Sequence, residues 1–292
     1  MHFLIIIPAH NEAEYIGAAL ESLSRQDYGE FRCVVVDDGS SDATAAIVRT
    51  IAGGDSRFVL QQLSKSEHQP GAKVVRTFMA GLQSQDLGSA DIICKFDADV
   101  IFPPAYLSEI KKIYENDPRA GMASGIVKIS SEPFSVNEAF NFNNKNGQWQ
   151  FENISSKNHV RGPIKSYRKA CFQEMNGLRP VLGWDNIDVM LAQKHGWRVI
   201  TNKELWVKHL RPTAYKYKTQ KAEKLGEYFY NIGLDFPLAF ISSAKSSLKN
   251  KSLRELMITL RSFLKQKARR HLTDEEITYI RKLRWRQMLK RK

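Results

Sequence analysis

Continuous apolar runs alternate with helix-like stripes along the first hundred residues. The runs are rich in β-branched and aromatic side chains and cover residues 3–7, 31–36, 58–63 and 92–96. Such runs are typical of strands buried on both faces of a parallel sheet. Helical spacing separates them, over residues 11–24, 43–51 and 71–82. The alternation predicts an α/β fold with a Rossmann-like, mostly parallel sheet flanked by helices.

The pattern changes in the rest of the chain. The spacing there predicts strands near residues 121–129, 159–168 and 197–201 and a helix over 187–195. Beyond Pro212 the spacing is helical. Two capping boxes, Ser252 with Glu255 and Thr273 with Glu276, predict that this part folds as helices. We therefore expect a C-terminal helical extension behind the α/β part.

Charge is distributed unevenly between these two parts. Residues 1–202 carry 21 Lys and Arg against 23 Asp and Glu, whereas residues 203–292 carry 23 against 8. The basic part suits an anionic surface, either a membrane or a nucleic acid; a solvated helical face is the plainer interpretation. Aromatic and apolar residues there could form an interfacial face or pack on the α/β part: Tyr228, Phe229, Ile232, Phe236 and Phe240.

Cysteine usage and hydropathy indicate the compartment. Cys33, Cys94 and Cys171 are far apart and odd in number, which indicates a reducing environment. The apolar N-terminal run is too short for a signal peptide, and no uncharged run approaches the roughly 18 residues of a membrane span. We expect a cytoplasmic protein, with the basic helices favouring a peripheral position on the inner face of the plasma membrane.

Carboxylates follow two of the predicted strands directly. Asp37 and Asp38 come after the second strand, where a carboxylate can accept hydrogen bonds from a nucleobase or ribose. They could equally cap the next helix. Asp97 and Asp99 come after the fourth strand and could hold a divalent cation such as Mg²⁺ or Mn²⁺. An isolated Asp-x-Asp is a weak signal.

Other chemistry-bearing residues lie further along the chain. Asp185 and Asp188 open a helix, where either could serve as a general base or simply satisfy the helix dipole. His209 could complete a metal site with the Asp-x-Asp pair, although a lone histidine is more often structural. Lys73 is a candidate for diphosphate oxygens, as are Lys208 and Arg211.

Taken in order, these motifs resemble the family-two glycosyltransferases of GT-A fold, of the bacterial surface-glycan type. The matching set is Pro8-Ala9-His10-Asn11-Glu12, Asp37-Asp38-Gly39-Ser40, Gly71, Asp97-Ala98-Asp99 and Gly183-Trp184-Asp185. The resemblance implies a catalytic domain over residues 1–212, with a nucleotide-binding half near 1–100 and an acceptor half near 101–212. Residues 213–292 would form a basic, amphipathic helical tail.

The resemblance also implies roles for individual residues. The residues that would contact the nucleotide are Pro8, Ala9, His10, Glu12, Asp38, Lys73 and Asp97. The residues that would bind the metal, Mn²⁺ or Mg²⁺, are Asp99, His209 and Asp97. Asp185 matches the catalytic base, but Trp184 stands where the family commonly has glutamate, so Asp188 is a rival. Trp184 and Arg161 would shape the acceptor pocket, although a core role for Trp184 is an equal alternative.

The implied reaction moves a sugar from a nucleotide-diphosphate sugar, most often a UDP-sugar, to an acceptor hydroxyl with inversion of configuration. The acceptor would be a glycan or a lipid-linked glycan. A dinucleotide-dependent oxidoreductase would need Gly-x-Gly-x-x-Gly after the first strand, which the sequence lacks. A nucleotidyltransferase would need a Gly-rich basic first loop, and a glycoside hydrolase would leave Asp38 without a role. The alternative is a nucleic-acid- or membrane-binding protein that uses the basic tail and has a non-catalytic α/β domain. Nucleic acid is not an expected partner, because the acidic strand ends would repel phosphate unless they held a metal.

Overall fold

One mixed β-sheet organises the chain as far as residue 209. The computed structural model describes residues 1–67, 69–143, 147–154, 156–211 and 221–289. The strands are β1 (Phe3–Ala9), β2 (Phe31–Asp38), β3 (Phe58–Leu63), β4 (Ile92–Phe96), β5 (Val100–Ile101), β6 (Ala120–Ser130), β7 (Trp149–Phe151), β8 (Ile164–Arg168) and β9 (Arg198–His209).

The strand order brings several polar strand ends to one edge. Neighbouring strands follow the order β3-β2-β1-β4-β8-β6-β9-β5, and β7 pairs with β6. Strands β1 to β4 are parallel, whereas β8 runs antiparallel to both β4 and β6. Ala9 pairs with Asp37 in register, so β1 and β2 end together. Ligands of open α/β sheets bind at this carboxyl edge.

Helices cover both faces of the sheet and bury its apolar runs. They are α1 (Ile16–Ser24), α2 (Thr44–Gly54), α3 (Ala72–Gln83), α4 (Tyr106–Asn116), α5 (Lys169–Glu174) and α6 (Trp184–Lys194). Alternate residues of β1 enter opposite cores: Leu4 and Ile6 on one side, Phe3, Ile5 and Ile7 on the other. Burial on both faces explains why the run is apolar without alternation, as the sequence predicts.

Four further helices follow: α7 (Lys221–Asn231), α8 (Phe236–Asn250), α9 (Leu253–Lys265) and α10 (Asp274–Leu289). Helices α7 and α10 pack against the α/β part. Phe229, Ile232 and Ile280 share one apolar core with Trp184 and Ile187 of α6. Of the aromatic and apolar residues considered for an interfacial face, Phe229 and Ile232 are therefore buried. Phe236 and Phe240 remain exposed.

Most predicted elements are confirmed, with three changes of boundary. The helix predicted from residue 11 begins at Ile16, because Asn11 takes a left-handed conformation with φ of 56°. The strand predicted over 159–168 begins at Ile164. The strand predicted to end at 201 continues to His209, because β9 pairs along β6 across two irregularities.

Both predicted N-cap residues, Ser252 and Thr273, cap helices, and the full capping box is confirmed for Thr273 with Glu276. Ser252 accepts a hydrogen bond from the Glu255 backbone, and Thr273 and Glu276 bond reciprocally. The helical stretch predicted beyond Pro212 begins outside the described residues, which resume at 221. Among the helices of residues 1–211 and 221–289 that the structure describes, none is long and apolar enough to cross a bilayer.

Candidate active site

Asp38, at the end of β2, is held by a ring of donors. Its side chain is 1% exposed. Ser66 donates to both carboxylate oxygens through its backbone and hydroxyl, at 2.9 and 2.6 Å, and Lys73 lies 3.2 Å away. Burial alone would raise the pKa of Asp38, but the bonds from Ser66 and the charge of Lys73 lower it below its usual value. Asp38 is therefore a preorganised carboxylate.

The end of β1 lies beside the backbone of Asp38. Pro8 and Ala9 pair with Val36 and Asp37 of β2. His10 follows, and its Nδ1 atom lies 2.8 Å from the backbone oxygen of Asp38. Four predicted nucleotide contacts, Pro8, Ala9, His10 and Asp38, are thus brought together with Lys73. Their role in nucleotide binding stays a prediction.

A three-residue cluster lies beside this pocket, where β4 and β9 end. One ligand atom each of Asp97, Asp99 and His209 lies within 4.8 Å of the others. Two carboxylates and an imidazole form a donor set that suits Mn²⁺, and Mg²⁺ through the oxygens. The residues predicted from sequence to hold a metal are therefore adjacent and fit that role.

Asp99 and His209 contact each other directly inside the cluster. His209 Nε2 lies 3.3 Å from Asp99, and its Nδ1 lies 3.5 Å from Glu152. Burial would lower the pKa of His209, but hydrogen bonds to both carboxylates raise it to about 9. Burial would raise the pKa of Asp99, whereas His209 and Arg211 bring it below its usual value. Without a metal, protonated His209 neutralises part of the negative charge.

Arg211 extends the network to the loop after β1. Its Nη2 atom lies 3.0 Å from Asp99 and 2.8 Å from each oxygen of Glu12. On the other side, Arg161 pairs with Glu152 at 2.7 Å. Alternating charges thus run from Glu12 to Arg161 through the cluster. A cation bound by Asp99 would share that carboxylate with Arg211.

Asp185 and Asp188 stand one turn apart on α6 in very different surroundings. Asp188 is 1% exposed and accepts hydrogen bonds from Lys165 at 2.6 and 2.7 Å and from Tyr167 at 2.7 Å. Asp185 is partly exposed in the first turn of the helix, and the amide of Asn186 lies 3.5 Å from its carboxylate. Asp185 keeps free acceptor capacity for a substrate hydroxyl, whereas Asp188 is occupied by its ion pair.

Gly162 and Lys95 connect Asp185 to the metal-type cluster. The Lys95 ammonium forms an ion pair with Asp97 and donates to the Gly162 carbonyl at 3.2 Å. A methyl group added at Gly162 would lie 3.8 Å from the Cβ atom of Asp185. The backbone at Gly162 therefore lies between the candidate base and the Lys95–Asp97 ion pair.

The two residues predicted to shape the acceptor pocket lie mostly inside the protein. Trp184 is 7% exposed, packs in the core and has Lys95 and Lys165 each 5.2 Å from its ring centroid. Arg161 is 4% exposed and paired with Glu152. In this conformation neither presents a free face to solvent, and their acceptor role stays a prediction.

Sequence reasoning missed several residues that build the site. Lys95, Lys165 and Glu152 provide or balance buried charge, and Ser66 supplies two hydrogen bonds to Asp38. Lys95 and Lys165 carried a usable signal, because a lysine inside a buried strand requires a partner. Ser66 and Glu152 lie in connecting segments and carried none.

Comparison with known proteins identifies the class to which this fold and site belong. The family model "Glycosyl transferase family 2" matches residues 4–174, more than half of the chain. The chain belongs to glycosyl transferase family 2.

Similar curated proteins share only part of their length with it. An N-acetylglucosaminyltransferase of Sinorhizobium fredii is 30% identical over 131 residues, which are 44% of this chain and 29% of that protein. The amylovoran biosynthesis glycosyltransferase AmsB of Erwinia amylovora is 30% identical over 105 residues, 33% of this chain and 30% of that protein. The matched segments thus cover less than a third of either relative.

Solved structures share the fold across most of the chain. A mannosyltransferase from Pyrobaculum calidifontis, in complex with GDP-Man and Mn²⁺, superposes with a TM-score of 0.60 at 19% identity, over 89% of this chain and 73% of that one. Residues 1–349 of S. aureus TarS, in complex with UDP-GlcNAc, give a TM-score of 0.60 at 19% identity, over 90% and 79%. The GT-A fold predicted from the motifs is confirmed.

Proposed function

We propose that this protein transfers a sugar from a nucleotide-diphosphate sugar, preferentially a UDP-sugar, to an acceptor hydroxyl with inversion of configuration. The observation that carries this proposal is the Asp97–Asp99–His209 cluster, together with Asp38 at the end of β2 and Asp185 beside Gly162. One carboxylate there suits a nucleoside, the cluster suits a diphosphate-bound cation, and the third carboxylate is free to accept a proton.

Donor binding begins in the pocket formed by the ends of β1 and β2. Asp38 accepts hydrogen bonds from the nucleoside, which replace some of its present bonds from Ser66 and Lys73. Lys73 now lies 3.2 Å from the carboxylate of Asp38. On binding, it turns toward the diphosphate. Asp38 and Lys73 already lie together in the folded protein, so neither has to be brought from a distant part of the chain.

Asp97, Asp99 and His209 would hold Mn²⁺ or Mg²⁺. When bound, such an ion supplies positive charge to the diphosphate leaving group. His209 must give up its proton to become a ligand, because only the neutral imidazole offers a lone pair. Arg211, released in part from Asp99, keeps its pairing with Glu12 and stays near the same charge.

Asp185 takes the proton of the acceptor hydroxyl. The acceptor oxygen forms a bond to the anomeric carbon as the bond from that carbon to the diphosphate oxygen breaks, on the opposite face of the sugar. A single displacement of this kind inverts the configuration. The free acceptor capacity of Asp185 and its place beside Gly162 favour it over Asp188 as the base.

The acceptor belongs to a surface or lipid-linked glycan. AmsB acts in amylovoran biosynthesis by its name, and TarS of S. aureus, 48% identical over a 50-residue segment, is named a poly(ribitol-phosphate) β-N-acetylglucosaminyltransferase. These names support a polysaccharide acceptor.

The test is release of nucleotide from UDP-, GDP- and dTDP-sugars with Mn²⁺ or EDTA. We compare the wild type, Asp99→Ala and the exposed control Asp86→Ala, with thermal shift by each nucleotide in parallel. Release from one donor, dependent on Mn²⁺ and lost only in Asp99→Ala, is expected. If no nucleotide stabilises the wild type with Mn²⁺, the proposal is wrong.

The helices beyond residue 212 are proposed to rest on an anionic membrane of the cytoplasmic face. Exposed apolar side chains of α8 and α9 support this: Phe236, Phe240, Leu248, Leu253 and Met257. Residues 203–292 also carry 23 basic residues against 8 acidic ones. Apolar insertion and attraction to anionic headgroups act together in such surfaces.

Sedimentation with vesicles tests the membrane proposal. Binding to phosphatidylglycerol vesicles, absent with phosphatidylcholine alone and weakened in Phe236→Ser/Phe240→Ser, is expected. Equal sedimentation of that variant and the wild type, or none of either, contradicts it.

A further inference from the structure

A small polar cavity lies between the helix that bears Asp185 and the C-terminal helices. Its volume is about 220 Å³. The residues that line it and bear on its chemistry are Asn158, His159, Asn186, Tyr228, Arg284 and Gln287. This volume is below the roughly 300–1,000 Å³ of sites for drug-sized ligands, so the cavity suits one sugar unit or a smaller group.

The cavity borders the candidate base. Asn186, on its wall, follows Asp185 in α6 and directs its amide at that carboxylate, 3.5 Å away. Burial raises the pKa of the Tyr228 hydroxyl to about 12, and the charge of Asp185 adds to that shift. Burial lowers the pKa of His159 to about 4, and the charge of Asp185 opposes that shift. A group bound in the cavity would therefore contact the residue that follows the candidate base in α6.

The walls of the cavity are held in a defined relation by the packing of α7 and α10 on α6. Gly183, with φ of 96°, has the Tyr228 ring so close that an added methyl group would lie 2.6 Å from it. Asn231 of α7 donates to the Leu182 carbonyl at 3.1 Å. Arg179 pairs with Glu276 of α10 at 2.7 Å. These contacts make the cavity a built feature of the fold.

Arg284 gives the cavity its chemical character. Its Nε atom is buried without a hydrogen-bond partner, and Arg284 has no ion pair with any residue in the described ranges. A desolvated donor without a partner is costly to retain. The guanidinium group matches the two oxygens of a carboxylate or phosphate.

We propose that this cavity, formed between α6, α7 and α10, binds an anionic group of the acceptor, a sugar carboxylate or a phosphate, through Arg284. This inference rests on the proposed function, because it assigns the acceptor side of that reaction. The polar amides of Asn158, Asn186 and Gln287 then hydrogen-bond the hydroxyls of the sugar that carries the anionic group. The C-terminal helices thereby take part in acceptor choice.

Binding of simple probes tests this assignment directly. Glucuronic acid, glucose 6-phosphate and neutral glucose are titrated against the full chain in EDTA, with saturation-transfer NMR as the readout. EDTA removes any metal that could bind the phosphate. The variants are Arg284→Gln, the charge-preserving Arg284→Lys, and Arg286→Gln as an exposed control on the same helix.

We expect at least one charged sugar to bind the wild type and Arg286→Gln about tenfold more tightly than Arg284→Gln, as for the loss of one charged hydrogen bond. Arg284→Lys should recover part of the affinity. Glucose should bind all four proteins equally weakly. Unchanged affinity in Arg284→Gln, or no binding of either charged sugar by the wild type at tens of millimolar, would overturn the proposal.

Two controls distinguish a wrong acceptor assignment from a wrong proposed function and from a variant that does not fold. Thermal shift with UDP, GDP and dTDP is recorded with Mn²⁺ on the same protein preparations without EDTA. If one of these nucleotides stabilises the wild type but charged sugars do not bind, the acceptor assignment alone is wrong. If none of them stabilises it, the proposed function is wrong as well. Melting temperatures of both Arg284 variants show whether a loss of binding is a loss of folding.

Discussion

The carboxyl edge of the sheet and the C-terminal helices handle charge in opposite ways. At the sheet edge Asp38, Asp97 and Asp99 are each paired with Lys73, Lys95 or His209. Across α7 to α10, basic residues outnumber acidic ones and many stand exposed, beside exposed apolar side chains such as Leu253 and Met257. One region is balanced in charge and the other is strongly positive.

The difference indicates two kinds of partner. Buried, paired charges are preorganised and can exchange an internal partner for a metal or nucleotide at little reorganisation. Unpaired surface charge attracts an extended anionic partner without fixing its geometry. The two regions meet at α6, where Arg179 pairs with Glu276 and Tyr228 packs on Gly183. The site is therefore shaped from both sides.

The sharpest test within the balanced region compares Asp185→Asn with Asp188→Asn. We expect Asp185→Asn to reduce kcat by about 10²–10⁴, as for loss of a general base, with little change in melting temperature. Asp188→Asn leaves the buried Lys165 ammonium without its counter-charge. It should lower the free energy of unfolding by about 3–5 kcal/mol. Steady-state kinetics and urea unfolding of both variants provide the measurement.

A double change distinguishes the two roles further. Asp188→Asn combined with Lys165→Met removes both buried charges, so it should recover much of the lost stability. An Asp185→Asn protein that retains full turnover would show that another group takes the proton, and Asp188 would then be the residue to test.

The junction between the two regions is tested by Glu276→Gln. Glutamine keeps the capping box with Thr273 but leaves the Arg179 guanidinium without its carboxylate. We expect a loss of about 2–3 kcal/mol in the free energy of unfolding. The exposed Glu275→Gln is the matched control. Equal stability of both variants would mean that α10 contributes little to the folded body.

Protonation of His209 predicts a dependence of stability on pH in EDTA. Its pKa is about 6.5 in an unfolded chain and about 9 in the folded one. A pKa raised by folding contributes stability that is complete below the lower value and is lost as pH rises through the higher one. The free energy of unfolding should fall by about 1–3 kcal/mol between about pH 6 and pH 9.5.

The matched variant for this pH effect is His209→Gln, which has no titrating group. The difference in unfolding free energy between the two proteins should shrink as pH rises. A constant difference across the range would show that His209 is neutral in the folded protein, and that Arg211 alone balances Asp99.

The smallest effect is expected from Thr273→Ala in the positive region. The hydroxyl of Thr273 accepts the Glu276 backbone N–H at 3.2 Å, and its loss should lower the free energy of unfolding by about 1 kcal/mol. Thr278→Ala, within the same helix, is the control. If both variants behave alike, the α10 cap contributes nothing measurable.

Periodicity was sufficient for the N-terminal strands because they are buried on both faces, but it did not predict β5, β7, α4 or α5. The run at 3–7 has no alternation, and β1 enters both cores, as such a run predicts. The later boundaries were harder. β9 includes Asn202, Lys203 and Glu204, which favour a turn locally, and pairing with β6 carries the strand past them.

The sequence by itself determined the α/β body, the polar strand ends and the family. Those properties depend on residue type, local spacing and motif order, which are written along the chain. Only the tertiary structure decided which carboxylates share a cleft and which are neutralised. Asp185 and Asp188 look equivalent in the sequence, but Lys165 and Tyr167 of β8 hydrogen-bond to the carboxylate of Asp188 and not to that of Asp185. Contacts between distant segments set burial and counter-charge, and no local pattern encodes those distances.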